Sequence, residues 1–219
     1  MGFAFDVAHM LAGLMVLASF LLLYQDRIGA LLNVLRLHGL ILALAVAWQA
    51  HIQSAAHLYI AAVIALGFKA FLIPGALDRL VDRLAIHRRI ETVGGIGPTM
   101  LGAMALVALS LRVMLPVTAH ADPVSRQDIA LALSVVLIGL LIMVTRRNAV
   151  GQVAGFLSLE NGIDLAAAGA RGMPLVVELS VAFSVLIAFI VIGIFLFRIR
   201  ERFDTVDLAA LEAFRGERR

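Results

Sequence analysis

The stretch GFLSLENGIDLAAAG, residues 155–169, makes two demands that conflict. Its glycines, alanines and leucines suit a helix sunk in lipid, yet Glu160, Asn161 and Asp164 stand together within it. A charged carboxylate at the centre of a bilayer costs about 2.5–3.5 kcal/mol on insertion scales, so two of them at neighbouring depths need a compensating use. In a helix Asp164, four residues after Glu160, faces the same way. On the opposite side Gly151, Gly155, Ser158, Gly162 and Ala166 form a small-residue stripe of the kind that lets helix backbones approach closely. A helix with a polar face and a small-residue face is expected to be buried in protein on both sides, inside a membrane bundle.

The rest of the chain agrees. Of 219 residues, 62% are hydrophobic and only 15% charged, and the mean hydropathy is +1.01. A soluble domain has roughly 45–50% apolar and 25% charged residues, so this composition is that of an integral membrane protein. There is no cysteine, which excludes an iron–sulfur cluster, a Cys-ligated nickel or zinc site and a disulfide. No cofactor is expected on this chain, and any electron carriers belong to other chains. The pI near 10.2 comes from arginines gathered at the membrane edge, with few aromatics nearby to stack on bases, so nucleic acid is not an expected partner. The opening MGFAFDVAHM has no basic residue before the first apolar run, unlike a cleavable signal, and reads as the start of a retained helix.

The fold class is all-α, a polytopic membrane helical bundle. A spanning helix needs about 20 mostly apolar residues, and seven segments meet this: 4–23, 28–49, 57–77, 98–117, 128–145, 149–169 and 174–197. The links YQDR (24–27), HIQSAA (51–56) and RRN (146–148) are short, so neighbouring helices run antiparallel. Alternation places Arg27, Arg79, Arg83, Arg88, Arg89, Arg146, Arg147 and the arginine-rich tail from Arg198 on one side, against Arg126 and Arg171 on the other. By the positive-inside rule the basic side is cytoplasmic, the N-terminus faces out and the C-terminus in. The loop 78–97 opens with DRLVDRLAIHRRIE, whose leucines recur at helical spacing, and an interfacial helix is expected there. GGIGP then terminates it, with Pro98 in the first turn of the next helix. GGIGP is no nucleotide fingerprint, because Met100 stands where a third glycine would be needed and no strand precedes it.

Candidate chemistry follows from depth. Counting from Ala149, Glu160 lies roughly 16–17 Å into its helix, close to the midplane. Arg36 in the second span and Lys69 in the third each fall roughly 12 Å from the cytoplasmic edge, one layer below Glu160. Two readings compete. Glu160, Asp164, Lys69 and Arg36 are either ion pairs that fix helix register, or a chain of protonatable groups, because burial brings carboxylates and lysines toward neutral forms that can exchange a proton. Of the six histidines only His38 lies well within a span, and their spacing offers no convergent metal ligands.

The residues also carry a resemblance. The segment VLIGLLIMVTRRNAVGQVAGFLSLENGIDLAAAG, followed by a helix ending in RIRERFDTVDLAALEAFRG, resembles the K subunit of bacterial respiratory complex I. The whole chain, with LAGLMVLAS at 11–19, FKAFLIP at 68–74, RRN and ENG, resembles the hydrogenase-4 component E family. The resemblance divides the chain into an N-terminal portion, 1–127, with its cytoplasmic loop 78–97, and a K-like portion, 128–219. It implies a bacterial inner-membrane subunit of a group 4 nickel–iron hydrogenase or formate hydrogenlyase-type complex, contributing to proton translocation without a redox centre of its own. Its implied partners are antiporter-like membrane subunits and a peripheral hydrogenase arm, with Glu160 on the key carboxylate of the K pattern. One departure stands out: the seventh helix has no acid near Ser184 to Leu186, and Glu178 lies further out. A subunit of a cation/proton antiporter and a structural membrane scaffold are the alternatives.

Overall fold

The computed structural model describes residues 2–83, 92, 94–117 and 123–169. Every element among these residues is helical: α1 (Gly2–Tyr24), α2 (Ile28–Gln53), α3 (Ala56–Ala65), a π-helical segment (Leu66–Leu72), α4 (Ile73–Arg83), α5 (Ile96–Val117), α6 (Pro123–Thr145) and α7 (Ala149–Gly169). Among the described residues five helices are long and apolar enough to cross a membrane: Gly2–Tyr24, Ile28–Gln53, Ala56–Asp82, Ile96–Met114 and Gln127–Thr145. The all-helical membrane bundle is thus observed. The expected seventh span, 174–197, lies outside the described residues, together with Arg171, Glu178 and the tail. At 21 residues, α7 is long enough to span but is not among the five, in keeping with the polar Gln152, Ser158, Glu160, Asn161 and Asp164 along it.

The boundaries moved where polar residues were taken for loop. The second helix continues through His51 to Gln53 and stops at Ser54, which adopts a left-handed conformation (φ 52°, ψ 36°). The following N–H of Ala55 returns to the Ala50 carbonyl at 3.0 Å, closing the helix end. The third span does not end at Leu77. From Ala56 through the π segment to Arg83 the helical elements follow one another without a break, so DRLVDR continues the helix of the third span; the rest of the expected interfacial helix, 84–91, lies outside the described residues. Leu77 and Val81 are buried on one side of it, which the amphipathic pattern anticipated. The stop before α5 is as read: Gly94 and Gly95 take φ of 80° and 84°, which a side chain would disfavour, and α5 starts at Ile96.

Leucine and isoleucine fill the centre, with Leu22, Leu31, Leu32, Leu42, Ile138 and Ile142 fully buried. Two polar ties join helix ends near the Ser54 turn: Trp48 Nε1 donates to the Ala4 carbonyl at 2.7 Å, and Gln53 Nε2 to the Ala168 carbonyl at 2.7 Å. At the opposite end Arg146, 1% exposed, reaches the carbonyls of Leu22 (3.2 Å) and Leu23 (2.6 Å) and the Thr92 hydroxyl (3.0 Å). These carbonyls are the orphaned acceptors at the end of α1, which the cation also favours electrostatically. Burial pulls the Arg146 guanidinium below its ordinary pKa, and Asp26 opposes that shift.

Candidate functional site

The site is built from the way α7 is held. Asn148, the last residue of the RRN turn, caps α7: its side-chain oxygen accepts from the Gly151 N–H at 2.5 Å. From there the small-residue face of α7 lies against α6. A Cβ on Gly155 would stand 2.8 Å from the Met143 nitrogen and 2.9 Å from the Gly139 carbonyl oxygen, and one on Gly139 only 2.5 Å from the Leu159 nitrogen. The two backbones therefore touch, and no residue with a side chain fits at either point. Gly162 meets Val136 in the same way. With this face spent on α6, Glu160, Asn161 and Asp164 turn toward α2 and the third span.

Lys69 comes to meet them on the π segment. Pro74 has no N–H to offer the Ala70 carbonyl, and its ring crowds that carbonyl. The preceding turns widen, and the Ile73 N–H bonds Phe68, five residues back. Lys69 is 5% exposed. Its ammonium donates to Asp164 Oδ2 and lies 3.5 Å from Glu160 Oε1. Glycine is needed on the facing helix too: a Cβ on Gly39 of α2 would fall 2.6 Å from the Lys69 carbonyl carbon and oxygen. Glu160 is 6% and Asp164 4% exposed. The sequence had placed Lys69 one layer away from Glu160; the length of the lysine side chain and the widened π turn close that gap.

One cation thus serves two buried carboxylates. With all three ionised the cluster carries one net negative charge, and a single added proton makes it neutral. Gaining and losing that proton keeps the cluster within one unit of net charge, which limits the cost of holding it in a low-dielectric interior.

Arg36 is not part of it. Its guanidinium pairs with Asp78 and with Asn33 Oδ1 at 2.5 Å, and its side chain is 34% exposed. Asp78 was assigned to a loop; as the third span continues past it, the acid arrives one turn from the helix end and takes Arg36.

The residue that sequence reasoning set aside is His38. It is 0% exposed. Asn161 Nδ2 lies 2.9 Å from its Nδ1, and Ser19 Oγ 2.9 Å and Ser158 Oγ 3.4 Å from its Nε2. An amide nitrogen only donates, so Nδ1 accepts and the neutral ring carries its hydrogen on Nε2, directed at Ser19, whose hydroxyl donates on to the Met15 carbonyl at 3.0 Å. The available signal was that His38 precedes Gly39, the glycine pressed on Lys69, and that Asn161 follows Glu160. A further acid, Asp128 of α6, pairs with His9 of α1 at 3.1 Å, away from this cluster.

No family model and no solved structure matches the chain. An uncharacterized protein of Mycobacterium tuberculosis is 35% identical over 207 residues, which is 93% of this chain and 94% of that protein. Hydrogenase-4 component E of Escherichia coli K12 is 28% identical over 213 residues, covering 96% of this chain and 98% of that protein, and the protein of the same name in Shigella flexneri gives the same figures. The chain belongs to the family of the mycobacterial protein, and it is a distant homologue of hydrogenase-4 component E over most of its length.

Proposed function

We propose that this chain is a membrane-arm subunit of a complex I-like oxidoreductase of the hydrogenase-4 type, and that Lys69, Glu160 and Asp164 form a proton-carrying station within it. The observation that carries the proposal is the triad itself: three ionisable groups from two helices, each nine-tenths or more buried, with one cation between two carboxylates. Intramembrane ionisable groups are expensive and mark ion or proton pathways. The π segment at Lys69 agrees, since such segments recur at functional positions. The distant homology to hydrogenase-4 component E supplies the kind of assembly. In this reading redox chemistry takes place on a peripheral hydrogenase arm, antiporter-like membrane subunits flank the chain, and residues 128–219 form its K-like portion. The chain sits in the bacterial inner membrane, with its N-terminus outside and its C-terminus cytoplasmic, an orientation favoured by the arginine distribution.

The assembly is tested by extracting the chain in mild detergent under native conditions and identifying what travels with it. Hydrogenase and antiporter-like subunits are expected in stoichiometric amount; recovery of the chain alone, or with antiporter subunits and no redox subunit, refutes the hydrogenase-type assignment. Reporter fusions after Gln53 and after Arg202 should report opposite faces of the membrane, and the same face for both would overturn the orientation.

A further inference from the structure

A second buried group beside the triad has no part in the function proposed above. His38 sits where three helices meet, touched by Ser19 from α1 and by Ser158 and Asn161 from α7. It adjoins the triad through its chain neighbours: Gly39, the next residue, packs on the Lys69 backbone, and Asn161, which touches the ring, follows Glu160.

A histidine that only filled space would need its two ring nitrogens satisfied in one protonation state. This one is arranged for two. In the neutral state the Asn161 amide donates to Nδ1, and the Nε2–H donates to Ser19, which passes its own hydrogen to the Met15 carbonyl. Asn161 Oδ1 is then left with no hydrogen-bond partner among the described residues, although Asn161 is 2% exposed. A half-turn of that amide brings Oδ1 to the ring, where it accepts from a protonated Nδ1, while the Nε2–Ser19–Met15 side stays unchanged. One amide rotation therefore lets the same side chains accept both N–H groups of the imidazolium, and moves the unpartnered end of the amide from Oδ1 to Nδ2.

We infer that His38 is a second proton-carrying station, which alternates with the Lys69–Glu160–Asp164 triad and whose charge state is switched by the Asn161 amide. In the exchange the proton that neutralises the triad leaves it, returning the triad to one net negative charge, and His38 gains that proton at Nδ1 and becomes the imidazolium, so the number of protons and the net charge of the whole group stay constant. The seventh helix need not supply a second acid in this arrangement.

This inference rests on the proton-station reading of the triad, so the test carries an arm for each. Membranes holding the complete assembly are assayed for redox turnover and proton movement, with the chain quantified in every sample. Glu160→Gln tests the triad: retained proton movement at normal abundance defeats that reading and this inference with it. If Glu160→Gln fails to move protons, His38→Gln decides the second station. The expected result is normal abundance with proton movement per turnover lowered by about tenfold or more; unchanged proton movement overturns the inference and leaves the triad standing. Should His38→Gln be depleted from the membrane, Ser19→Ala takes its place, since it keeps the imidazole and deletes only the hydroxyl at Nε2. Proton movement lowered at normal abundance is then the supporting result, and native proton movement the refuting one.

Discussion

Lys69→Met is the substitution that presses hardest on the buried triad. Methionine has nearly the length of lysine and leaves the packing against Gly39 intact, so its effect isolates the charge. Removing one partner of a buried ion pair costs about 3–5 kcal/mol, because the other charge stays behind without compensation. Here two carboxylates, at 6% and 4% exposure, lose the ammonium they share, so a cost within that range is expected. Asp164→Asn should cost less, about 1.5–3 kcal/mol for one charge-assisted hydrogen bond, since Glu160 still lies 3.5 Å from the ammonium. The combined variant Lys69→Met, Glu160→Gln, Asp164→Asn has no buried charge at this point and should recover most of the loss, as neutral replacements of buried pairs do. Reversible unfolding of the purified chain in bicelles, followed by helical circular dichroism against denaturing detergent, measures all three. A Lys69→Met cost below about 1 kcal/mol, or a combined variant no more stable than Lys69→Met, would refute the premise that the triad is a charge cluster in a dry interior.

Three further outcomes are expected. Gly155→Ala forces a Cβ to 2.8 Å from the Met143 nitrogen and should destabilise the α6–α7 pair by about 1–3 kcal/mol, whereas Gly13→Ala, with nothing within 4 Å, should be neutral or slightly stabilising in the same unfolding assay. Pro74→Ala restores an N–H four residues after Ala70 and lets the π segment return to α-helical register; a cross-link between cysteines placed at positions 69 and 164 should then form more slowly than in the Pro74 background. Arg146→Lys keeps the charge but loses the forked geometry that joins Leu22, Leu23 and Thr92, so protease cleavage after Arg27 should accelerate at unchanged helix content.

The fold class was legible because apolar length, short links and arginine placement act on long windows of sequence. Glu160 and Asp164 were legible for the same reason: a carboxylate in an apolar run is conspicuous whatever its partners. What escaped depends on geometry that a uniform helical rise does not contain. Counting residues set Lys69 a layer away from Glu160, because neither the π segment ahead of Pro74 nor the reach of the side chain enters that count. Arg36 was grouped with the triad because Asp78, its actual partner, had been given to a loop. His38 was passed over because nothing in the sequence shows that Ser19, 19 residues earlier, and Asn161, 123 residues later, converge on its ring.

Proton uptake by sealed vesicles carrying the complete assembly, compared between the native chain and Glu160→Gln at equal abundance, tests the central claim most directly. Glutamine keeps the shape and the hydrogen-bonding capacity of Glu160 but cannot release a proton. A proton station predicts that the assembly forms, that redox turnover loses its coupled proton uptake, and that Glu160→Asp, which keeps the acid but withdraws it by one methylene, falls between the two. If the triad serves only to pin helices, the neutral side chain relieves the desolvation cost, and Glu160→Gln vesicles would take up protons at the native rate; that result would contradict the account.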